Sequence, residues 1–402
     1  MIPKSIDEIT KLDIDALIQN QVREARTIEY KLILPGNSDE EKREFLADIS
    51  SFANAGGGDL LYGIEESDGV PKNAVGLKDC KVDVEINRLE CIIRYGINPR
   101  IPGVSIHPIE GFPQGPVLLV RVPKSWVSPH MVTFKNLSKF YTRNSAGKHQ
   151  MDVTEIRSAF LLSEALPERI KRFRDERLGR IIAGETPVLL QEGAKLVLHI
   201  LPIVSFTSKL SLNISALQEH APGLHTIGIS GGCEQMYNLD GFLTYFPYSG
   251  ALSPSYCQLF RTGQIESVNA EMVYEQDGRR LIPIIDYEKN VIWAIMNYLR
   301  VLKKLEVPAP LFIFIAMLGV LGIQMPRLGI QYHHFNRPID RDTLILPDIL
   351  IEEYPNLSES DEKSNFQEIA KLLRPVFDAV WNACGFPRSF NYDNQGNWNP
   401  RY

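Results

Sequence analysis

The chain has 402 residues, with 43 Lys and Arg against 49 Asp and Glu for a net charge of −6, and it is 44% hydrophobic and 23% charged. That length allows two domains with substantial cores, and the composition is that of an ordinary globular protein. The acidic balance excludes a globally basic nucleic-acid binder, and five cysteines without framework spacing exclude a disulfide scaffold and point to a reducing compartment.

Ser5-x-x-Glu8 reads as a capping box opening a helix that runs to about Asn20. The alternation over Thr27–Leu34 predicts a strand with Ile28, Tyr30, Leu32 and Leu34 on one side and Glu29 and Lys31 on the other. A second capping box, Ser38-x-x-Glu41, opens a helix with the apolar stripe Phe45, Leu46, Ile49, Phe52 and Ala53, which Gly56-Gly57-Gly58 ends. The run Leu60–Ile64 reads as a neighbouring strand, and Val82–Tyr95 as a third helix. Strands follow at Val104–Ile109, Pro116–Pro123 and Lys139–Arg143, and a helix over Val153–Ala165 closes the unit. Pro167–Ala183 reads as a separate basic helix, and Gly184-Glu-Thr-Pro187 as a boundary.

Beyond that boundary we expect strands at Lys195–Phe206 and Pro310–Leu321 and helices at Val291–Lys304 and Asn365–Ala383. The polar segment Asn391–Tyr402 reads as frayed or swapped onto a neighbour. Pro310–Met325 is too short for a bilayer span, and the N-terminus lacks the apolar core of a signal peptide, so a cytoplasmic protein without a membrane segment is expected. The organisation is then an α+β domain with a mixed sheet over residues 1–165, a basic helical connector over 166–188, and a second, α/β-type domain over 189–402 for assembly or sensing.

Charge is unevenly spread. Residues 135–180 hold 11 basic and 6 acidic side chains, which makes this stretch the candidate phosphate-tracking surface. Three other signals weigh less. The triple glycine follows a helix where a phosphate loop would precede one, and no G-x-x-x-x-G-K-[ST] exists. Gly228-Ile-Ser230-Gly-Gly232 matches a nucleophile elbow, but the residues after it make a poor helix, so a Gly-rich turn is preferred. His199, His225 and His333-His334 lack metal-ligand spacing with any cysteine.

The informative constellation is Glu24, then Glu29-Tyr-Lys31, then Phe52-Ala-Asn54 with Gly57-Gly58, then Gly63-Ile-Glu65-Glu66. Carboxylates gathered on a small fold repel one another unless a cation lies between them, so Glu24, Glu29 and Glu66 are a candidate divalent-metal site. The same residues also read as exposed strand positions and a polar turn. Together with Gly76-Leu77, Ile97-Asn-Pro99 and Phe140-Tyr-Thr-Arg143-Asn-Ser, this pattern resembles the AlbA-like domain of the Schlafen family, over about residues 1–165. Glu65-Glu66 stands where the family has paired aspartates.

The resemblance implies a divalent-metal-dependent endoribonuclease acting on structured RNA such as tRNA, in prokaryotic anti-phage defence or toxin-like growth arrest. It implies Mg²⁺ or Mn²⁺ on Glu24, Glu29 and Glu66, with Lys31 neutralising charge on the phosphorane. Arg143, Lys148, Arg172, Arg174 and Arg177 are the expected RNA contacts. A single lobe is half of the Schlafen core, so a homodimer is expected, with a further defence-system subunit as a possible partner. The competing reading is a non-catalytic nucleic-acid- or nucleotide-binding regulator or complex subunit with the same fold.

Overall fold

A computed structural model describes the chain except for residues 3, 5, 146, 208–209, 229–231, 248–251, 327–335, 359 and 401–402, and except for the side chains of 214, 216, 220 and 221. It divides into two compact units, Met1–Ala165 and Leu166–Tyr402.

In the first unit, Ile6–Glu8 is a short 3-10 turn and helix α1 is Lys11–Gln19. Its cap is Thr10, whose amide donates to Asp13 at 2.9 Å, so the helix starts later than the Ser5 box predicts; Ser5 lies outside the described residues. Strand β1 (Ile28–Lys31), helix α2 (Asp39–Asn54) and strand β2 (Gly58–Tyr62) form a strand–helix–strand unit. The two strands are parallel, with Glu29 opposite Leu60 and Lys31 opposite Tyr62. The Ser38–Glu41 box caps α2 as expected, Glu41 N–H donating to Ser38 Oγ at 3.2 Å. The helix ends because Gly57, at φ +75°, takes a conformation that L side chains rarely adopt; a Cβ there would also press on the Lys124 amide at 2.7 Å.

A hairpin follows, β3 (Ile64–Ser67) and β4 (Val70–Ala74), then helix α3 (Val82–Gly96) and strands β5 (Ile97–Asn98), β6 (Ser105–Phe112) and β7 (Gly115–Val122). The main sheet has the order β1-β2-β7-β6 and is mixed, because only the β1–β2 pair within it is parallel. Strands β8 (Met131–Val132), β9 (Lys139–Asn144) and β10 (Gly147–Gln150) join β5 in a second sheet. Both faces of the main sheet are covered. Phe45, Leu46, Ile49 and Phe52 of α2 lie with Leu60, Tyr62, Leu118 and Val120 on one side, and Ile14 of α1 lies with Ile28, Tyr30, Leu61 and Leu119 on the other.

Helix α4 runs unbroken over Val153–Ile182, through Pro167, so the two helices expected on either side of that proline are one. In the second unit, strands β11 (Lys195–Pro202), β12 (Glu234–Tyr237), β13 (Gly241–Tyr245), β14 (Ser255–Phe260) and β15 (Ile265–Asn269) belong to one antiparallel sheet. A small hairpin, β16 (Tyr274–Gln276) and β17 (Arg279–Leu281), leads to helix α5 (Asp286–Lys304). Strand β18 (Leu311–Leu318) returns beside β11 and carries β19 (Thr343–Ile345) and β20 (Ile349–Ile351) before helix α6 (Glu362–Ala383). Helices α5 and α6 bury one face of this sheet, and Leu178 and Ile181 of α4 cover part of the other.

The C-terminal segment is neither frayed nor swapped over its described length. Glu288 on α5 is fully buried and accepts from Trp381 Nε1 at 2.9 Å, Ser389 Oγ at 2.7 Å and Trp398 Nε1 at 2.8 Å, and Tyr392 donates to the Ala370 carbonyl. A buried carboxylate without a cation needs such donors, and the last residues supply two of them. Ser230 and His333-His334 lie outside the described residues. His199 is a core residue bonded to Glu266.

Candidate functional site

The centre lies in the first unit, where β1, α2 and the β9–β10 hairpin meet. In-register parallel pairing puts Glu29 and Lys31 on the same side of the sheet as Leu60 and Tyr62, under α2. Glu29 is therefore 7% exposed and buried, because this sheet has no solvated face. Sheet pairing stops at Lys31, and Leu32 and Ile33 emerge into solvent, so the strand is shorter than its alternation predicts.

A row of alternating charges results. Arg143 of β9 donates to Glu29 Oε2, and Lys31 Nζ is 2.7 Å from Glu29 Oε1. Lys148 of β10 is 2.7 Å from Asp48 Oδ1 and 2.6 Å from Glu44 Oε1. Asn54, at the end of α2, receives the His130 amide at 2.7 Å and donates to the carbonyls of His130 and Tyr141 at 2.9 Å each. The bond to Tyr141 pins β9 to the helix two residues before Arg143. The Arg143 guanidinium then lies 4.0 Å over the ring of Phe52, which its position on the apolar stripe of α2 buries.

Burial pushes the Glu29 carboxyl up, but Arg143 and then Lys31 outweigh it and leave Glu29 below its ordinary value. Burial likewise opposes the Lys31 ammonium, and Glu29 with Asp48 overrules it, so its pKa is raised. Asp48 goes the other way. It is 1% exposed, and burial followed by repulsion from Glu29 raises its carboxyl to about 6, against the pull of Lys148. Lys31, Asp48 and Glu44 line a cleft of about 430 Å³ walled by Phe45, Tyr62 and Leu34.

Asp48 was not among the residues singled out from sequence. A signal was present: it falls three residues after Phe45 and four before Phe52, so it shares the buried face of α2.

Glu24 and Glu66 meet around the β3–β4 turn. The Glu24 amide donates to the Gly69 carbonyl at 2.7 Å, and the Gly69 amide donates to Glu66 Oε2 at 2.7 Å. Glu24 Oε1 accepts from the Tyr30 amide at 2.9 Å. Burial, then repulsion from Glu29 and Glu66, raises the Glu24 carboxyl despite that bond. Glu65 turns aside and accepts from Asn73 at 3.2 Å.

These three glutamates do not fit the metal site expected of them. Both oxygens of Glu29 are taken by cations, Glu24 and Glu66 are each held by a backbone amide, and among the described residues no three His, Cys, Asp or Glu side chains are grouped to hold an ion. A divalent ion at Glu29 would face the charges of Arg143 and Lys31 at contact range.

The expected RNA contacts are also largely spent inside the protein. Arg143 is 5% exposed on Glu29, and Lys148 is paired as above. Arg177 is buried and grips Glu266 through two bonds of 2.8 and 2.7 Å, and Arg174 pairs with Asp175 at 2.9 Å. Of the three arginines singled out on the basic helix, Arg172 alone is exposed. Four of the eleven basic side chains of residues 135–180 are thus drawn into ion pairs, while the other seven stay exposed.

Residues 24–152 match the family model described as Schlafen, AlbA_2. Among solved structures, the chain is similar to the DIP2311 protein from Corynebacterium diphtheriae, at 18% identity over 35% of this chain and 26% of that one, with a TM-score of 0.25. The chain thus spans about a quarter of that protein's length. It is also similar to the N-terminal domain of a putative ATP-dependent DNA helicase RecG-related protein from Nitrosomonas europaea, at 24% identity over 27% of this chain and 71% of that one, with a TM-score of 0.22. No curated protein matches the chain. Among the described residues, no helix is long and apolar enough to cross a membrane.

Proposed function

We propose that the domain over residues 24–152, which matches the Schlafen AlbA_2 family model, binds structured RNA and cleaves its phosphodiester backbone. The domain family suggests a nucleic-acid-related function. The observation that carries the finer reading is the half-exposed Lys31 ammonium, fixed by buried Glu29 at the mouth of a cleft that also holds Asp48. Buried charges are costly to keep, and three of them, Glu29, Asp48 and Arg143, gathered with Lys31 and Lys148 beside a cleft are the arrangement expected of a working site more than of a structural one.

In this reading Lys31 donates to a non-bridging oxygen of the scissile phosphate and stabilises the charge that develops there. Glu29 and Arg143 hold Lys31 in place. Asp48, with its carboxyl at about 6, accepts or releases a proton near neutral pH. No step is assigned to a metal ion, because the donor set does not fit one. tRNA is the first substrate to try, and growth arrest is the physiological setting that the resemblance implies.

The test is incubation of the purified chain with total tRNA, beside a Glu29→Gln variant. Cleavage by the wild type that falls by about 10²-fold in the folded variant supports the reading. Binding without cleavage by both proteins would favour the non-catalytic reading instead, which the full neutralisation of Glu29 by protein cations also suits.

A further inference from the structure

We infer that Arg143 is the resident counter-ion of Glu29 and stands where a divalent ion would otherwise be needed, so that this centre meets a substrate phosphate with protein cations alone. Arg143 is 5% exposed, and its guanidinium donates through Nη2 to Glu29. Its Nε and Nη1 are shut off from solvent with no hydrogen-bond partner among the described residues. A buried arginine that leaves two donors unused to hold one carboxylate is kept there for that carboxylate.

Its position is also built. Asn54 ties β9 to α2 through the Tyr141 carbonyl and is itself held by two bonds with the His130 backbone, and Phe52, on the same helix, backs the guanidinium at 4.0 Å. Lys31 takes the second oxygen of Glu29, while Glu24 and Glu66 are each satisfied by a backbone amide. Every carboxylate of the expected ion site thus has its own partner, and the two side-chain charges nearest Glu29 are positive. Arg143 is a positioning residue in this account: it holds Glu29, which in turn holds the solvent-reaching Lys31.

The inference rests on reading this centre as the RNA site, but its test needs no RNA. The metal-stripped full chain is titrated with Mn²⁺ by calorimetry, as wild type, Glu29→Gln, Arg143→Met, and the double variant. Wild type is expected to show no site tighter than about 1 mM. Arg143→Met is expected to gain Mn²⁺ affinity by roughly tenfold or more, and the double variant to lose it again.

A wild-type site in the micromolar range that Glu29→Gln abolishes would overturn the inference. So would a folded Arg143→Met protein that ignores Mn²⁺. If Arg143→Met does not fold, the wild-type and Glu29→Gln titrations decide alone. RNA cleavage surviving in EDTA supports the inference. Absence of cleavage under every condition would remove the nuclease reading and leave the ion titration standing.

Discussion

Replacing Arg177 by Met separates a core ion pair from an RNA contact. Arg177 is 8% exposed and makes a bidentate bond to Glu266, which is 0% exposed and also receives His199 at 2.9 Å and Tyr256 at 2.8 Å. Removing one partner strands a carboxylate in the second unit's core, and breaking a buried pair in this way costs about 3–5 kcal/mol. With a urea slope of about 3 kcal/mol per molar, the midpoint of that unit should fall by roughly 1–1.7 M.

Tryptophan fluorescence is the assay, since Trp293, Trp381 and Trp398 all lie in the second unit. The pH dependence gives a second check. Burial raises the Glu266 carboxyl, but Arg177 and His199 overrule it and hold it at about 2 against an ordinary 4.5. Its stabilisation is present above the ordinary value and is lost as pH falls toward 2. In Arg177→Met the loss should begin at higher pH. An unchanged midpoint together with weakened RNA binding would refute the reasoning and return Arg177 to the surface.

Asp48→Asn should flatten the pH dependence of the first unit. Folding raises this carboxyl from 3.8 to about 6, so its contribution to stability is present below 3.8 and is lost as pH rises through about 6. The melting temperature of the variant relative to wild type should therefore rise across that window, and a constant difference would count against the buried assignment. Gly76→Ala should destabilise by about 2 kcal/mol or more, because φ is +79° and a Cβ would collide with the Gly115 carbonyl oxygen. Gly184→Ala is the control: its φ is +76° with nothing within 4 Å, so denaturation should show a smaller loss there.

Much of the first unit was legible where local chemistry decides the outcome. The Ser38–Glu41 box, the stripe on α2, the glycine stop and the apolar run of β2 each reflect short-range rules that the tertiary structure had no reason to override. The site was half legible. Glu24, Glu29, Lys31 and Glu66 do come near one another, but sequence cannot show that a second sheet brings Arg143 and Lys148 onto the same helix face. Reading Glu29 as turned away from an apolar face failed because α2 covers that side as well.

The basic stretch was legible only in part for a related reason. Four of its charges, Lys135, Arg143, Lys148 and Arg177, are answered by Asp39, Glu29, Asp48 and Glu266, all distant in sequence. Pro167 misled too, since a proline inside a helix removes one backbone bond without ending the helix when packing holds both sides, as Leu166 and Ile170 are buried around it. Glu288 gives no local sign that it will gather two tryptophans and a serine from the C-terminal residues.

The central claim is that Lys31, held by Glu29, meets the scissile phosphate of RNA. Single-turnover cleavage of tRNA by wild type and Lys31→Met, in EDTA and at saturating protein, tests it directly. The account predicts cleavage by wild type and a rate about 10²-fold lower in the variant, the loss expected when one donor to a developing phosphorane charge is removed, with RNA affinity changed far less. Equal rates for the two proteins, or cleavage by wild type that appears only when Mn²⁺ is restored, would contradict it.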